Sequence, residues 1–155
     1  SVVLSDRKVP MKKVVFVAIL VTMNIITSAY ASKARVPERL IDALIQQESN
    51  GDDHAIGDKH LKEKAYGCLQ IRKPCLDDVN KRYGTSYQPQ DMLGNRSLSV
   101  WVCTKYLEMY TSSKILGRQP TEEDLARVWN GGPTGWKKSS TNGYWVNVQR
   151  KLARR

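Results

Sequence analysis

Glu48 is the residue whose type and spacing most clearly suggest chemistry. Ile41, Leu44 and Ile45 precede it at helical spacings, so on a helix its carboxyl group shares their apolar face. Burial on that face and the negative end of the helix dipole both disfavour the charged form, and both raise the pKa. A carboxylic acid that stays neutral near pH 7 can act as the general acid that cleaves a glycosidic bond. On this pattern alone, a solvated glutamate at a frayed helix end is the alternative.

The elements that would position Glu48 are predicted to be helices, so the fold class is mainly α. The predicted helices run from Pro37 to Glu48, from Pro74 to before Gly84, from Ser97 to Tyr110 behind the cap residue Asn95, from the capping signal at Thr121, and from Tyr144 to the basic end at Arg155. Residues 52–66 are predicted to form a loop, and residues 68–71 a strand-like segment or turn. A chain of 155 residues with this pattern indicates one helical domain whose loops line a substrate groove.

The strongest helix-breaking segment is Asn130-Gly131-Gly132-Pro133-Thr134-Gly135. Three glycines in six positions allow the backbone to approach a ligand closely. The segment therefore predicts either a groove wall that offers backbone groups to a ligand or a plain loop that ends a helix.

The first residues have the order of a secretory signal peptide. Met11-Lys12-Lys13 is basic, residues 14–21 are apolar, and Ala29-Tyr30-Ala31 offers a cleavage site between small residues. We therefore predict that residues 1–31 are upstream residues plus the signal peptide, and that residues 32–155 form the domain of a secreted or periplasmic protein. The apolar run is shorter than the roughly 20 residues of a membrane span, so stable insertion is not expected after cleavage. An uncleaved anchor is the alternative.

The net charge of +10 indicates an anionic partner or a solvated basic surface. For an exported protein the anionic partners are cell-wall polymers, membrane surfaces or extracellular nucleic acid. A small basic DNA-binding protein would explain the charge but not the signal peptide or the glycine segment, so nucleic acid is not expected as a partner.

The cysteines and histidines give weaker signals. Cys68, Cys75 and Cys103 are an odd number for an exported chain, and one disulfide plus one free thiol is the simplest expectation. The group His54, Asp58 and His60 could bind a metal, but polar loops produce such groups by chance. We therefore predict no metal and no cofactor.

Three segments resemble soluble lytic transglycosylases and goose-type lysozymes. These are Glu48-Ser49, Tyr66-Gly67-Cys68-Leu69-Gln70-Ile71 and Trp129-Asn130-Gly131-Gly132, and they occur in the family's order. The C-terminal part, including Gly143-Tyr144-Trp145, resembles the invertebrate-type lysozymes. The chain is identified as a member of the lysozyme-like superfamily. The resemblance implies a mainly helical fold with a groove for peptidoglycan glycan strands, and it implies that Glu48 is the catalytic acid.

Two reactions are open to such an acid. A lysozyme needs a second carboxylate, whereas in a lytic transglycosylase the deprotonated glutamate accepts a proton from the 6-hydroxyl of the sugar, which closes an anhydro ring. The catalytic aspartate of the invertebrate-type family falls on His60 here, and Asp58 is the nearest substitute. That departure favours the transglycosylase, with a hydrolytic lysozyme that uses Asp58 as the alternative. A non-catalytic cationic protein that binds the cell wall is the third possibility.

The resemblance also implies the residues that contact the glycan. The predicted substrate-binding residues are Ser49, Tyr66, Gln70, Asn130, Gly131 and Tyr144. Gln70 is expected to bind an acetamido group, because its amide both donates and accepts hydrogen bonds. Tyr144 is expected to form a hydrogen bond within the site. Trp129 and Trp145 are assigned mostly to packing, and the protein is expected to be a monomer.

Overall fold

The computed structural model describes residues 35–154, which lie within one compact unit spanning residues 34–155. The predicted signal peptide lies outside the described residues. The described part of the chain is mostly helical, with helices α1 Glu38–Ser49, α2 Lys73–Tyr83, α3 Arg96–Tyr110, α4 Ser113–Leu116, α5 Glu122–Gly131 and α6 Asn142–Leu152. Short 3-10 helices cover Pro89–Met92, Gly135–Lys137 and Ser139–Thr141. The mainly α fold class is confirmed.

The helix boundaries follow the local signals in the sequence. Asn50 ends α1 in the left-handed conformation at φ 55°, and Gly84 ends α2 at φ 67°. Asn95 caps α3, where its side-chain oxygen accepts a hydrogen bond from the Leu98 N–H at 3.1 Å. Thr121 and Asp124 form a capping box at the start of α5. Each cap fixes a helix whose apolar face the core then buries.

The core lies between α3 and the helices around it. Val102, Cys103 and Leu107 on α3 are fully buried. Helix α2 packs against α3, and α6 packs against both α1 and α5. This arrangement brings the C-terminal end of α1 beside the first turns of α6, although the two helices are far apart in sequence.

The region between α1 and α2 differs from the predicted loop. Strands β1 Ile56–Gly57 and β2 Ala65–Tyr66 pair antiparallel, with Ile56 opposite Tyr66 and Gly57 opposite Ala65. An isolated bridge joins Tyr66 to Ile71, so residues 68–71 form a turn that folds back on the hairpin. The strands are two residues long, which is too short to leave an alternating pattern in the sequence.

Smaller differences concern α4, α5, α6 and the cysteines. The short α4 was not predicted, α5 continues through Gly131 instead of ending before it, and α6 begins two residues before Tyr144. The expected disulfide is wrong, because all three cysteines carry free thiols. Among residues 35–154, no helix is both long enough and apolar enough to cross a membrane.

Candidate active site

An open cleft of about 280 Å³ lies beside the C-terminal end of α1. It is lined by Glu48, Gly57, Asp58, Ala65, Gln70, Ile71, Arg72, Cys75, Tyr106, Trp129 and Asn130. The β1–β2 hairpin, the turn before α2 and the end of α5 therefore meet at one place. Two carboxylates are among the lining residues, and both had been predicted as catalytic.

Glu48 is partly buried in the last turn of α1, and Tyr144 on α6 holds its carboxyl group. The Tyr144 hydroxyl donates a hydrogen bond to Glu48 Oε1 at 2.5 Å. The packing of α1 against α6 makes this contact between residues 96 positions apart. The carboxyl group is thus fixed at the wall of the cleft before any ligand binds.

The environment of Glu48 raises its pKa above the ordinary value of 4.5. Burial is the largest cause, because desolvation disfavours the charged form. The hydrogen bond from Tyr144 and the positive charge of Arg72 act in the opposite direction, and the negative charge of Asp58 adds to the rise. The Trp129 side chain also interacts with Glu48 and lowers the pKa slightly. Because burial outweighs the lowering contributions, Glu48 is better suited to donate a proton than an exposed glutamate.

Tyr144 and Cys75 remain protonated at neutral pH. Burial, together with the nearby charge of Glu48, raises the pKa of the Tyr144 hydroxyl well above its usual value, so it stays a hydrogen-bond donor. Burial also raises the pKa of the Cys75 thiol to about 12, with the charge of Asp78 as a smaller cause. A protonated thiol is a poor nucleophile, so Cys75 is not suited to attack a substrate in this cleft.

Asp58 lies in the same cleft and is paired with Arg72. The Arg72 guanidinium donates a hydrogen bond from Nη2 to Asp58 Oδ2, and the two side chains form an ion pair. Asp58 adopts a left-handed backbone conformation at φ 51°, which turns the chain after β1. Arg72 had not been predicted as a site residue. Its position directly after Gln70-Ile71 in the resembling segment was the available signal.

Gln70 lines the cleft and is held by two backbone carbonyls. Its Nε2 donates hydrogen bonds to Gly67 O at 2.9 Å and to Ala55 O at 3.3 Å. Gly57 packs against the side-chain oxygen so closely that an added Cβ would overlap it. These contacts leave Gln70 Oε1 as the part of the amide that could still accept a hydrogen bond from a sugar N–H.

Ser49 and Tyr66 do not line the cleft. The Ser49 hydroxyl donates to Cys68 O at 2.9 Å and Ile45 O at 3.3 Å, which ties the end of α1 to the turn that carries Gln70. Tyr66 is partly buried and packs against the core from β2. Sugar contacts by Ser49 and Tyr66 stay predictions.

The end of α5 contributes Trp129 and Asn130 to the cleft. Trp129 packs edge-on against Tyr106 with ring centroids 5.9 Å apart, so it both packs in the core and faces the site. Gly131 lies behind the cleft wall, where an added Cβ would contact Thr141 and where its carbonyl accepts a hydrogen bond from Lys138 Nζ at 2.6 Å.

The polar group His54, Asp58 and His60 does not assemble into a metal-holding cluster within residues 35–154. His60 is exposed and is not a lining residue. In the described range, no three His, Cys, Asp or Glu side chains are grouped so that they could hold a metal ion.

Comparison with known proteins gives a family and a fold. The family model described as "Transglycosylase SLT domain" matches residues 25–142. No curated protein matches the chain. A chain in the crystal structure of Aeromonas hydrophila PliI in complex with Meretrix lusoria lysozyme is 27% identical, with a TM-score of 0.62, and the match covers 74% of this chain and 89% of that one.

Two further crystal structures are similar. Inhibitor-bound lysozyme from Meretrix lusoria is 27% identical with a TM-score of 0.61, and the match covers 76% of this chain and 91% of that one. Tapes japonica lysozyme, at 22% identity, matches in fold with a TM-score of 0.63 and coverage of 76% of this chain and 93% of that one. Family and fold together make the protein a peptidoglycan lytic transglycosylase or a lysozyme-type glycosidase. The chain belongs to the transglycosylase SLT domain family.

Proposed function

We propose that the protein cleaves the β-1,4 bond between N-acetylmuramic acid and N-acetylglucosamine in peptidoglycan by a lytic transglycosylase reaction. Glu48 is the general acid and then the general base. The observation that carries this proposal is a partly buried carboxyl group with a raised pKa at the wall of a cleft, held there by Tyr144.

The reaction has two proton transfers, and Glu48 takes part in both. In the first, Glu48 donates its proton to the bridging oxygen, the C1–O bond breaks, and positive charge develops on the muramic acid ring. In the second, the oxygen of the sugar's own 6-hydroxyl forms a bond to C1, and its proton goes to the Glu48 carboxylate. The acid is thereby regenerated, and the product carries an internal anhydro ring with no water added.

The contacts of Asp58 support this reaction over hydrolysis. A lysozyme mechanism needs a second carboxylate as a nucleophile or to activate water. Asp58 is the second carboxylate, after Glu48, among the described residues that line the cleft. Its Oδ2 already accepts a hydrogen bond from Arg72. One carboxylate suffices for the anhydro-forming reaction.

Substrate binding is assigned to the polar groups that face the cleft. Gln70 and Asn130 are assigned to acetamido groups and Trp129 to the sugar ring, and the support for this assignment is that all three line the cleft. Ser49, Tyr66 and Gly131 shape the walls behind these groups. The glycan strand is the proposed partner of a monomeric protein that works outside the cytoplasm, where peptidoglycan lies.

Mass spectrometry of digested peptidoglycan tests the proposal. A transglycosylase leaves 1,6-anhydro ends, and a hydrolase leaves reducing ends that are heavier by one water. Anhydro-muropeptides are expected as the main product of the purified protein. Reducing ends alone would establish the lysozyme reaction, and an intact glycan would favour the non-catalytic wall-binding protein.

A further inference from the structure

Arg72 pairs with one carboxylate of the cleft, Asp58, and its positive charge also acts on the other, Glu48. It directly precedes α2 in an extended backbone conformation, and its side chain does not cap that helix. The guanidinium pairs with Asp58, and both residues line the cleft together with Glu48. The Arg72 side chain is 45% exposed and that of Asp58 is 29% exposed, so the pair borders open solvent. Neither the stability of α2 nor the burial of the core requires an arginine here.

We propose that Arg72 is a positioning residue that decides the outcome of the reaction, because it holds the Asp58 carboxylate in one orientation, so that Asp58 does not activate water and the 6-hydroxyl of the sugar remains the attacking group. This inference rests on the proposed function. It assigns to Arg72 the choice between anhydro and reducing products, a role separate from the proton transfers of Glu48.

The choice is made after the glycosidic bond breaks. Two oxygens can then form a bond to C1: that of the 6-hydroxyl, whose proton goes to Glu48, and that of a water molecule on the opposite face of the sugar ring, whose proton needs a second base. Asp58 is a carboxylate within the same cleft. While its Oδ2 accepts the guanidinium N–H, that oxygen is occupied and the carboxylate is held in one orientation. Water on the face of the sugar ring opposite Glu48 is then without an aligned base.

Loss of the guanidinium would release Asp58. A free aspartate side chain can turn toward water, accept its proton and so produce a reducing end, in which one water has been added across the glycosidic bond. A positioned general base typically contributes about 100- to 10,000-fold to a rate. Even poor alignment of a released Asp58 should therefore be visible in the product ratio.

The test is the ratio of anhydro to reducing muropeptides produced by the unchanged protein and its Arg72→Met variant. We expect the fraction of reducing ends to rise at least about tenfold in Arg72→Met. The matched control is Lys73→Met, which removes one positive charge at the neighbouring position. Lys73 pairs with Asp77 along the exposed side of α2 and does not line the cleft, so its loss should leave the ratio unchanged.

Asp58→Asn and the double variant Arg72→Met/Asp58→Asn complete the test. We expect the products of Asp58→Asn to stay mainly anhydro, because no second base is then present to activate water, whereas its rate should fall because the charge of Asp58 helps to raise the pKa of Glu48. The double variant should return to the original product ratio, because no second base remains to be released. Thermal unfolding of each variant confirms that it is folded, and Arg72→Gln, which also removes the guanidinium, takes the place of Arg72→Met if that variant does not fold.

Four outcomes would overturn the inference. These are an unchanged ratio in Arg72→Met, reducing ends that persist in the double variant, a folded Arg72→Met without any cleavage, and a higher fraction of reducing ends in Asp58→Asn. Failure of the proposed function would look different, because the unchanged protein would then form no anhydro product at all.

Discussion

The hydroxyl of Tyr144 donates a 2.5 Å hydrogen bond to Oε1 of Glu48, and this contact joins the first part of the domain to the last. Glu48 lies on helix α1 and Tyr144 lies on α6, so the site forms only when the two helices pack together. The contact also limits how far burial can raise the pKa of Glu48, because a donated hydrogen bond stabilises the carboxylate.

Tyr144→Phe should therefore shift the pH dependence of the reaction. Without the hydroxyl, the pKa of Glu48 rises further, and the alkaline limb of the pH–activity profile, where the acid loses its proton, moves to higher pH. The rate at the optimum should fall about two- to tenfold, the equivalent of one lost hydrogen bond. Initial rates on purified peptidoglycan across a pH series measure both effects.

Tyr83→Phe is the control for this variant, because Tyr83 is exposed on α2 and its ring can keep its contact with Trp101. Its profile should superimpose on that of the unchanged protein. An alkaline limb that moved to lower pH in Tyr144→Phe would show that the hydroxyl does not stabilise the Glu48 carboxylate.

Glu48→Gln should separate catalysis from wall binding. The amide keeps the size of the side chain but carries no acidic proton, so cleavage should fall by at least about 100-fold, the lower end for a general acid. Sedimentation with insoluble peptidoglycan should show retained binding. Glu38→Gln, in the first turn of the same helix, is the matched control. Undiminished lysis by Glu48→Gln would mean that the cationic surface alone disrupts the wall.

Gly57→Ala should disturb Gln70, whose side-chain oxygen lies against Gly57. The new Cβ would overlap Gln70 Oε1, so the amide must swing out and lose its hydrogen bonds to Gly67 O and Ala55 O. Two such bonds correspond to about 1–3 kcal/mol of unfolding free energy. We expect a higher KM with a smaller change in kcat, measured on soluble glycan fragments.

The control for this variant is Gly84→Ala, because Gly84 has open space around it and lies at the end of α2, outside the cleft lining. It should lose some stability through its positive φ but keep the original KM. An unchanged KM in Gly57→Ala would exclude Gln70 from substrate binding.

Some parts of this fold could be predicted because local residues determine them. The cap at Asn95, the capping box at Thr121 and the glycine after α2 act within a few positions, so the sequence pattern contains the whole interaction. The direction of the Glu48 side chain follows from helical spacing in the same way. These predictions need no knowledge of the tertiary structure.

The hairpin and the Asp58–Arg72 pair could not be predicted in this way. The pair joins residues 14 positions apart through a chain that takes positive φ at both Asp58 and Gln70, neither of which is a glycine. Tertiary contacts, such as the packing of Gly57 against Gln70, stabilise those conformations and leave no local signal. The role of Trp129 was only half predicted for a similar reason, because an apolar face of a helix can border a cleft as well as a core.

The raised pKa of Glu48 also has a consequence for stability, and its sign is opposite to that of a salt-bridged carboxylate. The pKa of Glu48 is above 4.5 in the folded state and close to 4.5 in the unfolded state. Between pH 4.5 and the folded pKa, the native state therefore holds more protons than the unfolded state. The contribution of the Glu48 proton to the free energy of unfolding is fully present below pH 4.5 and is lost as the pH rises through the folded pKa. Glu48→Gln has no such proton, so its unfolding free energy should decline less over this range.

Urea unfolding of both proteins at a series of pH values from 4 to 8 measures the difference. We expect the stability of Glu48→Gln relative to the unchanged protein to rise with pH and then level off, and the pH at which it levels off reports the folded pKa. The alkaline limb of the activity profile should fall in the same range, because the same proton governs both. Parallel stability curves would mean that Glu48 is as solvated as a surface glutamate, and the proposed acid would then lack the property on which its role depends.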